Sequence, residues 1–208
     1  MSLLAKKQLL KRIKSQDDDR LVVTPILDES SQFGETGIDV RLGNQFIGFK
    51  AENIPALDIR QNLNDEGLRR IQKQLVLPFG EAYILHPQQM VLGATFEYIA
   101  LPNDMWGTIE GRSSWARIGL VIATANSIEP GFKGCITFEL SNLSNVPLHL
   151  YPGIRIAQLI CMTTSSSAKY TGGKYLHPIG PEFSKIGKDS DIDIFAKKEK
   201  DAHITLAE

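Results

Sequence analysis

The segment GRSSWARIGL, residues 111–120, places two arginines, two serine hydroxyls and a run of backbone amides within a few positions. The guanidinium of arginine is a planar fork of N–H donors that matches the oxygens of a phosphate. Serine hydroxyls and the amides of a turn can complete an anion cradle of this kind. Taken alone, such a segment is more often a polar loop that displays its arginines to solvent.

A second segment, IEPGFKGCITFE at residues 128–139, indicates a Pro-Gly turn that leads into a strand. Alternate residues of a strand face opposite sides, so Glu139 shares one face with Cys135 and Thr137, and the other face is apolar. Removal of a carboxylate from water raises its pKa toward the range that suits proton transfer. The strand therefore indicates a proton-transfer role for Glu139, with pairing to a basic residue inside the sheet as the alternative.

Short apolar segments separated by proline and glycine recur from residue 75 to residue 162. Strands of this length with regular turn signals predict a mostly β fold, either a sandwich or a barrel. Helices are predicted from a Ser2 cap to about Lys14, within residues 62–74 and over residues 115–118. Because neither an internal repeat nor a linker interrupts the chain, we predict one domain.

The composition is that of an ordinary globular protein, with 42% hydrophobic and 23% charged residues among 208. A formal net charge of −1 provides no bulk attraction to nucleic acid or to an anionic membrane, so neither is an expected partner. No apolar run approaches the roughly 20 residues of a membrane span. The first residues also lack the apolar core of a signal peptide. We therefore expect a cytoplasmic protein.

The two segments together resemble the dCTP deaminase branch of the dCTP deaminase/dUTPase superfamily. That branch carries Gly-Arg-Ser-Ser-x-Ala-Arg-x-Gly-Leu, followed by an Ile-Asp-Pro-Gly-aromatic-x-Gly turn that leads to a glutamate. The similar segments occur in the same order along the chain, as far as about Ile186. It includes GIDVRLG at residues 37–43, LYPG at 150–153, AQL at 157–159 and GKY at 173–175.

The resemblance implies a mostly β fold, a distorted β-barrel or jelly-roll of the dUTPase-like type with a few short helices. It implies one nucleotide deaminase domain over residues 1–188, in which about residues 165–186 form a lid, followed by a polar tail over residues 189–208. The family is trimeric and builds each site between neighbouring subunits, so a homotrimer is expected.

The resemblance also assigns roles. Glu139 would be the proton shuttle for hydrolytic deamination of dCTP, while Ser113 and Arg117 would hold the attacking water and the developing charge. Magnesium bound with the triphosphate is the expected cofactor. Expected phosphate contacts are Arg112, Ser114 and the amides around Ala116, with Tyr170 and Lys174 closing over the triphosphate; further expected substrate contacts are Trp115, Glu129, Thr137 and Phe138.

The cysteines and histidines do not form a zinc-binding pattern. Cys135 and Cys161 stand far apart in apolar segments, which is typical of buried packing residues. The four histidines are scattered without ligand spacing. Zinc-dependent nucleobase deaminases carry His-x-Glu followed by Pro-Cys-x-x-Cys, and neither motif occurs in this sequence. A deaminase with this sequence is therefore expected to work without zinc.

Four positions depart from the common deaminase pattern: Ile122 replaces a histidine, Ser127 an arginine, Glu129 an aspartate and Pro178 a glutamine. The arginine and the aspartate lie near the sugar and the base in the family. Their replacement leaves sugar or base selectivity open. Both arginines and both serines of residues 111–120 are retained, and so is Glu139. Their presence indicates that the chemistry of the family is retained.

The leading functional prediction is an enzyme that converts dCTP to dUTP and ammonia. The alternative within the superfamily is a dUTPase, or a bifunctional deaminase and diphosphatase that releases pyrophosphate. The dUTPase branch usually ends in a glycine-rich arm of Arg-Gly-x-x-Gly-Phe-Gly character, which the tail lacks. A second alternative is a non-catalytic nucleotide-binding regulator on the same fold, favoured only by the four departures.

Overall fold

The computed structural model describes residues 2–50, 65–123, 127–168, 170, 174–175 and 177–188. Two compact units are present: one comprises Met1–Gly48 and Gln74–Glu182, the other Phe49–Lys73 and Phe183–Glu208. The predicted polar tail over residues 189–208 lies outside the described residues. The single domain over residues 1–188 stays a prediction.

The described residues form fourteen strands and four α-helices. The helices are α1 (Lys6–Ile13), α2 (Glu29–Gln32), α3 (Asp65–Ile71) and α4 (Ser113–Ala116), and a 3-10 turn follows at Ile186–Lys188. The strands are β1 (Ser2–Leu3), β2 (Val22–Thr24), β3 (Ile38–Arg41), β4 (Gln45–Phe49), β5 (Gln72–Val76), β6 (Tyr83–Leu85), β7 (Met90–Ala94), β8 (Tyr98–Ala100), β9 (Met105–Gly111), β10 (Leu120–Ile122), β11 (Lys133–Gly134), β12 (Thr137–Asn142), β13 (Leu148–Leu150) and β14 (Arg155–Thr163).

The predicted mostly β fold with a few short helices is confirmed. The strands form four sheets: β14 pairs with β1, β3 and β9, the five-stranded sheet runs β10-β12-β7-β4-β5, and smaller sheets run β11-β8-β2 and β13-β6. The barrel is not closed, since among the described residues these strands form four sheets.

The long strand β14 is the centre of its sheet, since both β3 and β9 pair with it in antiparallel register. Its register with β3 shifts between Arg155 and Ala157, where a β-bulge interrupts the ladder. A β-bulge leaves one residue without a partner in the ladder, so backbone groups there are available to other hydrogen-bond partners. This irregularity lies directly beneath the arginine–serine segment.

The N-terminal prediction is wrong in one respect. Ser2 does not cap a helix, because it pairs with Thr163 as part of β1. The helix begins at Lys6, after Ala5, and Gln8 Oε1 accepts the Ala5 N–H at 2.9 Å. The fully buried residue of α1 is Leu9. Strand pairing between Ser2 and β14 therefore outweighs the local preference of serine for the start of a helix.

The other two helix predictions place helices at nearly the right positions. The helix expected within residues 62–74 is α3, which ends at Ile71 because Gln72 begins β5. The helix expected over residues 115–118 begins two residues earlier, at Ser113, and ends at Ala116. Residues 51–64 lie outside the described part of the chain.

The hydrophobic core of the first unit is built from the inward faces of these sheets. The rings of Phe46 on β4 and Phe138 on β12 are both fully buried in it. Burial alternates along β12, as the sequence predicts, with Phe138 and Leu140 inside. Cys135 and Cys161 are free and buried, which confirms their prediction as packing residues.

Among the described helices, none has the length and hydrophobicity that crossing a membrane requires.

A buried ion pair connects β3 to the turn after β7. The Glu97 side chain is fully buried, and Arg41 Nη1 lies 3.2 Å from its Oε1. Its Oε2 accepts the Arg41 backbone N–H at 2.8 Å, and Gln32 Nε2 donates to Oε1 at 3.1 Å. Burial raises the pKa of Glu97, while the donors from Arg41 favour its charged form. The network therefore holds three separate segments of the core together.

Candidate active site

The arginine–serine segment begins where β9 ends. The backbone N–H of Arg112 still reaches β14, donating to the Ile156 carbonyl at 3.0 Å. From there the chain turns into α4, whose first bonds run from Trp115 N–H to the Arg112 carbonyl and from Arg117 N–H to the Ser113 carbonyl, both at 3.0 Å. The strand pairing therefore sets where the segment leaves the sheet.

Most of the segment faces solvent. Ser113, Ser114, Ala116 and Arg117 are exposed, while Arg112 and Trp115 are partly buried. Exposed hydroxyls, amides and a guanidinium on one short turn are groups that can donate to an anion.

Two side chains of the segment are anchored from beneath. Arg112 Nη1 and Trp115 Nε1 both donate to the backbone carbonyl of Arg155, at 3.3 and 3.1 Å. Arg155 lies next to the register shift in β14, and its carbonyl accepts both of these side-chain donors. Arg112 Nε also lies 3.6 Å from Asp39 Oδ2 on β3.

The segment ends at Gly119, whose backbone has φ of +94°. A Cβ built there would lie 2.6 Å from the Ser144 Cβ and 2.7 Å from the Ser144 nitrogen. Gly119 is therefore required both for its left-handed backbone and for its close approach to the turn after β12.

We expect Gly119→Ala to lower the free energy of unfolding by more than Gly80→Ala does. Both glycines have positive φ, +94° and +98°, but a Cβ at Gly80 meets nothing within 4 Å. Gly80→Ala thus carries only the backbone cost, on the order of 1–2 kcal/mol, and Gly119→Ala adds a collision with backbone. Urea unfolding of the two variants measures the difference, and equal losses would contradict the close approach.

Glu139 lies on β12 between β7 and β10. It is paired with Leu92 on β7, and its carbonyl accepts the Ala123 N–H at 2.9 Å. The side chain is half-buried, and burial raises the pKa of its carboxyl group. Its Oε2 is buried and has no hydrogen-bond partner among the described residues.

This environment disfavours the alternative interpretation of Glu139. A structural carboxylate inside a sheet would be expected to have a basic partner, as Glu97 has in Arg41. No ion pair of Glu139 is found in the part of the chain that the structure describes. A buried oxygen with open hydrogen-bonding capacity is instead typical of a group that acts on a ligand.

Glu129 stands in the turn before β11 and belongs to a chain of hydrogen bonds. Trp106 Nε1 donates to Ser127 Oγ at 2.7 Å, and Ser127 Oγ donates to Glu129 Oε1 at 2.7 Å. Ser127 and Glu129 are both exposed. The contact of Trp106 with Ser127 could not be predicted from the sequence, because a position on a predicted strand carries no signal of contact with residue 127.

The tail returns to the same part of the chain. The Tyr170 N–H donates to the Pro130 carbonyl at 3.0 Å, and its ring meets Phe132 edge-on with centroids 6.5 Å apart. Farther on, the Pro178 carbonyl accepts the Cys135 N–H at 2.7 Å. The described tail residues thus contact the turn before β11 and the segment that follows it.

Two predicted substrate contacts on β12 have other neighbours in this structure. Thr137 Oγ1 accepts the Glu182 N–H at 3.3 Å. Phe138 has no exposed surface, so its expected contact with the substrate is not accessible in the single chain. Lys174 is exposed, while Lys169, residues 171–173 and Leu176 of the predicted lid lie outside the described residues.

The predicted site residues have different hydrogen-bonding neighbours in the single chain. Residues 112–117 contact β3 and β14, whereas Glu139 lies on β12. Glu129 lies in the turn before β11, and Tyr170 is hydrogen-bonded to that turn. Ile122, which stands where the family has histidine, pairs with Leu140 in the β10–β12 ladder, one position from Glu139. Within the described residues, no hydrogen bond or ion pair joins residues 112–117 to either glutamate.

Residues 3–164 match the family model described as dCTP deaminase-like. A relative from Methanosphaera stadtmanae, named dCTP deaminase, dUMP-forming, is 38% identical, and the match covers 92% of this chain and 98% of the relative. A relative from Halorubrum lacusprofundi, named dCTP deaminase, is 40% identical over 91% of this chain and 94% of the relative.

Among solved structures, the 2'-deoxycytidine 5'-triphosphate deaminase from Agrobacterium tumefaciens is similar in fold. The TM-score is 0.57 at 21% identity, over 76% of this chain and 47% of the other. This chain therefore spans about half the length of that solved structure. The likeness supports the dUTPase-like type of fold that the sequence predicts.

Proposed function

Because the chain belongs to the dCTP deaminase-like family, we propose that it is a zinc-independent enzyme that hydrolyses the 4-amino group of dCTP to give dUTP and ammonia. The observation that carries this proposal is Glu139. Its carboxyl group is half-buried, its pKa is raised, and its Oε2 is buried with no partner among the described residues. A carboxylate in this state can accept a proton from water and return it.

The proposed reaction needs one proton shuttle. As the water oxygen bonds to C4 of cytosine, Glu139 accepts a proton from the water and passes it to N3. The remaining hydroxyl proton then moves through Glu139 to the amino group. The C4–N bond breaks, ammonia leaves, and the C4 carbonyl of uracil forms. No electron acceptor is required, since the reaction is a hydrolysis.

The arginine–serine segment supplies the remaining roles in the proposal. Ser113 and Arg117 hold the attacking water and the developing charge, and both are exposed and able to reach a ligand. Arg112, Ser114 and the amide of Ala116 bind phosphate oxygens. Tyr170 and Lys174 cover the triphosphate, and Trp115, Glu129, Thr137 and Phe138 complete the surroundings of the substrate.

We further propose a homotrimer whose sites are shared between neighbouring chains. Among the described residues, no hydrogen bond or ion pair joins residues 112–117 to Glu139 of the same chain, which leaves room for a second copy to bring its own segment to the first copy's carboxylate. Exposure of Ser113, Ser114 and Arg117 is consistent with such a shared site.

Magnesium fits the proposed site through the phosphates. The carboxylate nearest Arg112 is Asp39, and it already lies within 3.6 Å of two guanidinium groups. Mg²⁺ prefers oxygen ligands and often keeps several waters beside one or two substrate phosphates. When bound, the ion would neutralise part of the triphosphate charge, while the cradle holds the remaining oxygens.

The proposal is tested by following ammonia release from dCTP with added magnesium. We expect turnover of dCTP, loss of turnover when magnesium is withheld, and no effect of a zinc-selective chelator. Ammonia production that falls together with removal of stoichiometric zinc would contradict the zinc-independent mechanism. Absence of ammonia with dCTP and with a panel of other cytosine nucleotides would favour the non-catalytic regulator.

A second candidate function is a bifunctional enzyme that also cleaves the triphosphate. The relatives carry both names: the one from Methanosphaera stadtmanae is named dUMP-forming, and the one from Halorubrum lacusprofundi is not. Measuring ammonia and pyrophosphate in the same reaction separates the two functions. Equal amounts of both from dCTP would indicate the bifunctional enzyme, whereas ammonia alone would indicate dUTP as the product.

A further inference from the structure

Asp39 lies behind the arginine–serine segment, at the point where three polar side chains meet. Its side chain is 10% exposed. Arg155 Nη1 lies 3.3 Å from its Oδ2, Arg112 Nε lies 3.6 Å from the same oxygen, and Gln158 Nε2 donates to Oδ1 at 3.2 Å. One carboxylate therefore faces two guanidinium groups, and the cluster keeps a surplus of one positive charge.

The partners of Asp39 are themselves held in place. Gln158 packs over Gly37, where an added Cβ would lie 2.6 Å from the Gln158 side chain. Arg155 Nη1 also donates to the carbonyl of Ser31. Because its neighbours are packed or bonded, Asp39 offers Arg112 a counter-ion in a fixed position.

Arg112 is consequently held at two of its three guanidinium nitrogens. Its Nε faces Asp39, and its Nη1 donates to the Arg155 carbonyl at the β14 bulge. Its Nη2 makes no hydrogen bond to the residues that the structure describes. Arg112 is also partly exposed, at 35% of its side chain. The N–H donors of Nη2 therefore remain for a ligand.

We infer that Asp39 is a positioning residue, which orients Arg112 before the triphosphate of the substrate binds. An arginine side chain loses rotamer freedom when it binds an anion, and ordering it in advance removes that cost. The inference rests on the proposed function, in which Arg112 binds phosphate. Strand β3, which carries Asp39, thus contributes to substrate affinity in addition to forming part of the sheet.

The direction in which removal of Asp39 changes anion affinity distinguishes a positioning role from simple electrostatics. Asp39 is negative, so its removal should strengthen anion binding if charge alone mattered. If Asp39 positions Arg112, its removal should weaken anion binding. A purely structural role would lower the melting temperature of the protein and leave the affinity of the folded protein unchanged.

The experiment is a double-mutant cycle with inorganic tripolyphosphate as the probe, measured by titration calorimetry well below the melting temperatures. The proteins are wild type, Asp39→Asn, Arg112→Met and the double variant. We expect Asp39→Asn to weaken binding on the order of 10-fold, and the double variant to bind no more than about twofold more weakly than Arg112→Met alone. Unchanged or tighter binding by Asp39→Asn, or additive losses, would overturn the inference.

Two further proteins keep the test decisive. Glu97→Gln is the matched control, because Glu97 is also a buried carboxylate paired with an arginine but makes no described contact with the segment. It should lose stability and keep tripolyphosphate affinity. If Asp39→Asn does not fold, Gln158→Leu replaces it in the cycle, since it removes the donor to Asp39 Oδ1 without changing charge.

The cycle is independent of the chemistry on the base. If wild type binds tripolyphosphate and the cycle is non-additive but no ammonia is released from any cytosine nucleotide, the proposed deaminase function fails and the positioning role stands. If ammonia is released and the cycle is additive, the function stands and the positioning role fails.

Discussion

Glu139→Gln should abolish ammonia release from dCTP while leaving dCTP affinity within about threefold of wild type. Glutamine keeps the size of the side chain and its capacity for hydrogen bonds, but it cannot carry a proton at neutral pH. General acid–base groups typically contribute on the order of 10²–10⁴-fold to rate. Because this carboxylate is proposed to serve every proton transfer, we expect the loss to reach the upper end of that range.

The same substitution should not weaken the fold. Burial raises the pKa of Glu139 in the folded protein above its unfolded value. A group of this kind stabilises the fold below its unfolded pKa, and that contribution is lost as pH rises through the folded pKa. At neutral pH the ionised carboxylate is therefore a cost, which glutamine removes. We expect the melting temperature of Glu139→Gln to equal or exceed that of wild type.

Three measurements decide this prediction: single-turnover ammonia release, calorimetric binding of dCTP and thermal unfolding. In wild type, kcat should fall on the acid side at a pH above the ordinary range for glutamate, because the shuttle must start as a carboxylate. Ammonia release by Glu139→Gln within tenfold of wild type would remove Glu139 from the mechanism. Loss of rate together with loss of folding would leave the role unsupported.

Glu97→Ala should be the most destabilising of the substitutions considered, lowering the free energy of unfolding by about 3–5 kcal/mol. Its side chain is fully buried, and its removal leaves the Arg41 guanidinium, 10% exposed, without its carboxylate. The Arg41 backbone N–H and Gln32 Nε2 lose their acceptors as well. Each buried donor left without a partner adds a desolvation cost.

A surface ion pair provides the matched control. Lys14 Nζ lies 3.0 Å from Glu29 Oε1, and both side chains are more than half exposed. Glu29→Ala should change stability by well under about 1 kcal/mol, because exposed pairs contribute little. Urea unfolding of both variants gives the comparison. Similar small losses in the two would mean that the Arg41–Glu97 pair is not the buried connection described above.

Part of the fold and of the site follows from local sequence. The period-2 alternation around Glu139 predicts which side chains of β12 are buried, and the structure confirms it at Phe138 and Leu140. Buried, unpaired cysteines were predictable from the apolar segments that contain them. The arginine–serine segment with its closing glycine was recognisable because turn and anion-binding chemistry depends on residues close together in the chain.

The support of the site was not predictable in the same way. No local sequence signal indicates that Asp39 and Arg155 contact Arg112, or that Trp106 contacts Ser127. Their contacts depend on strand registers that bring distant segments together: Gln158 pairs with Asp39 across β14 and β3, and also with Glu110 on β9. A one-residue change in either register would turn these side chains to the other face.

The mostly β class, the family and the identity of the chemical groups can therefore be predicted from the sequence, because they depend on local periodicity and on motifs within a few residues. Three contacts depend instead on how distant segments pack: Ser2 pairs with Thr163 in a strand, Glu97 is the buried partner of Arg41, and Asp39 lies behind Arg112. Each of these contacts joins residues far apart in sequence. Burial, register and a bulge in β14 select them, and none of the three can be read from neighbouring residues alone.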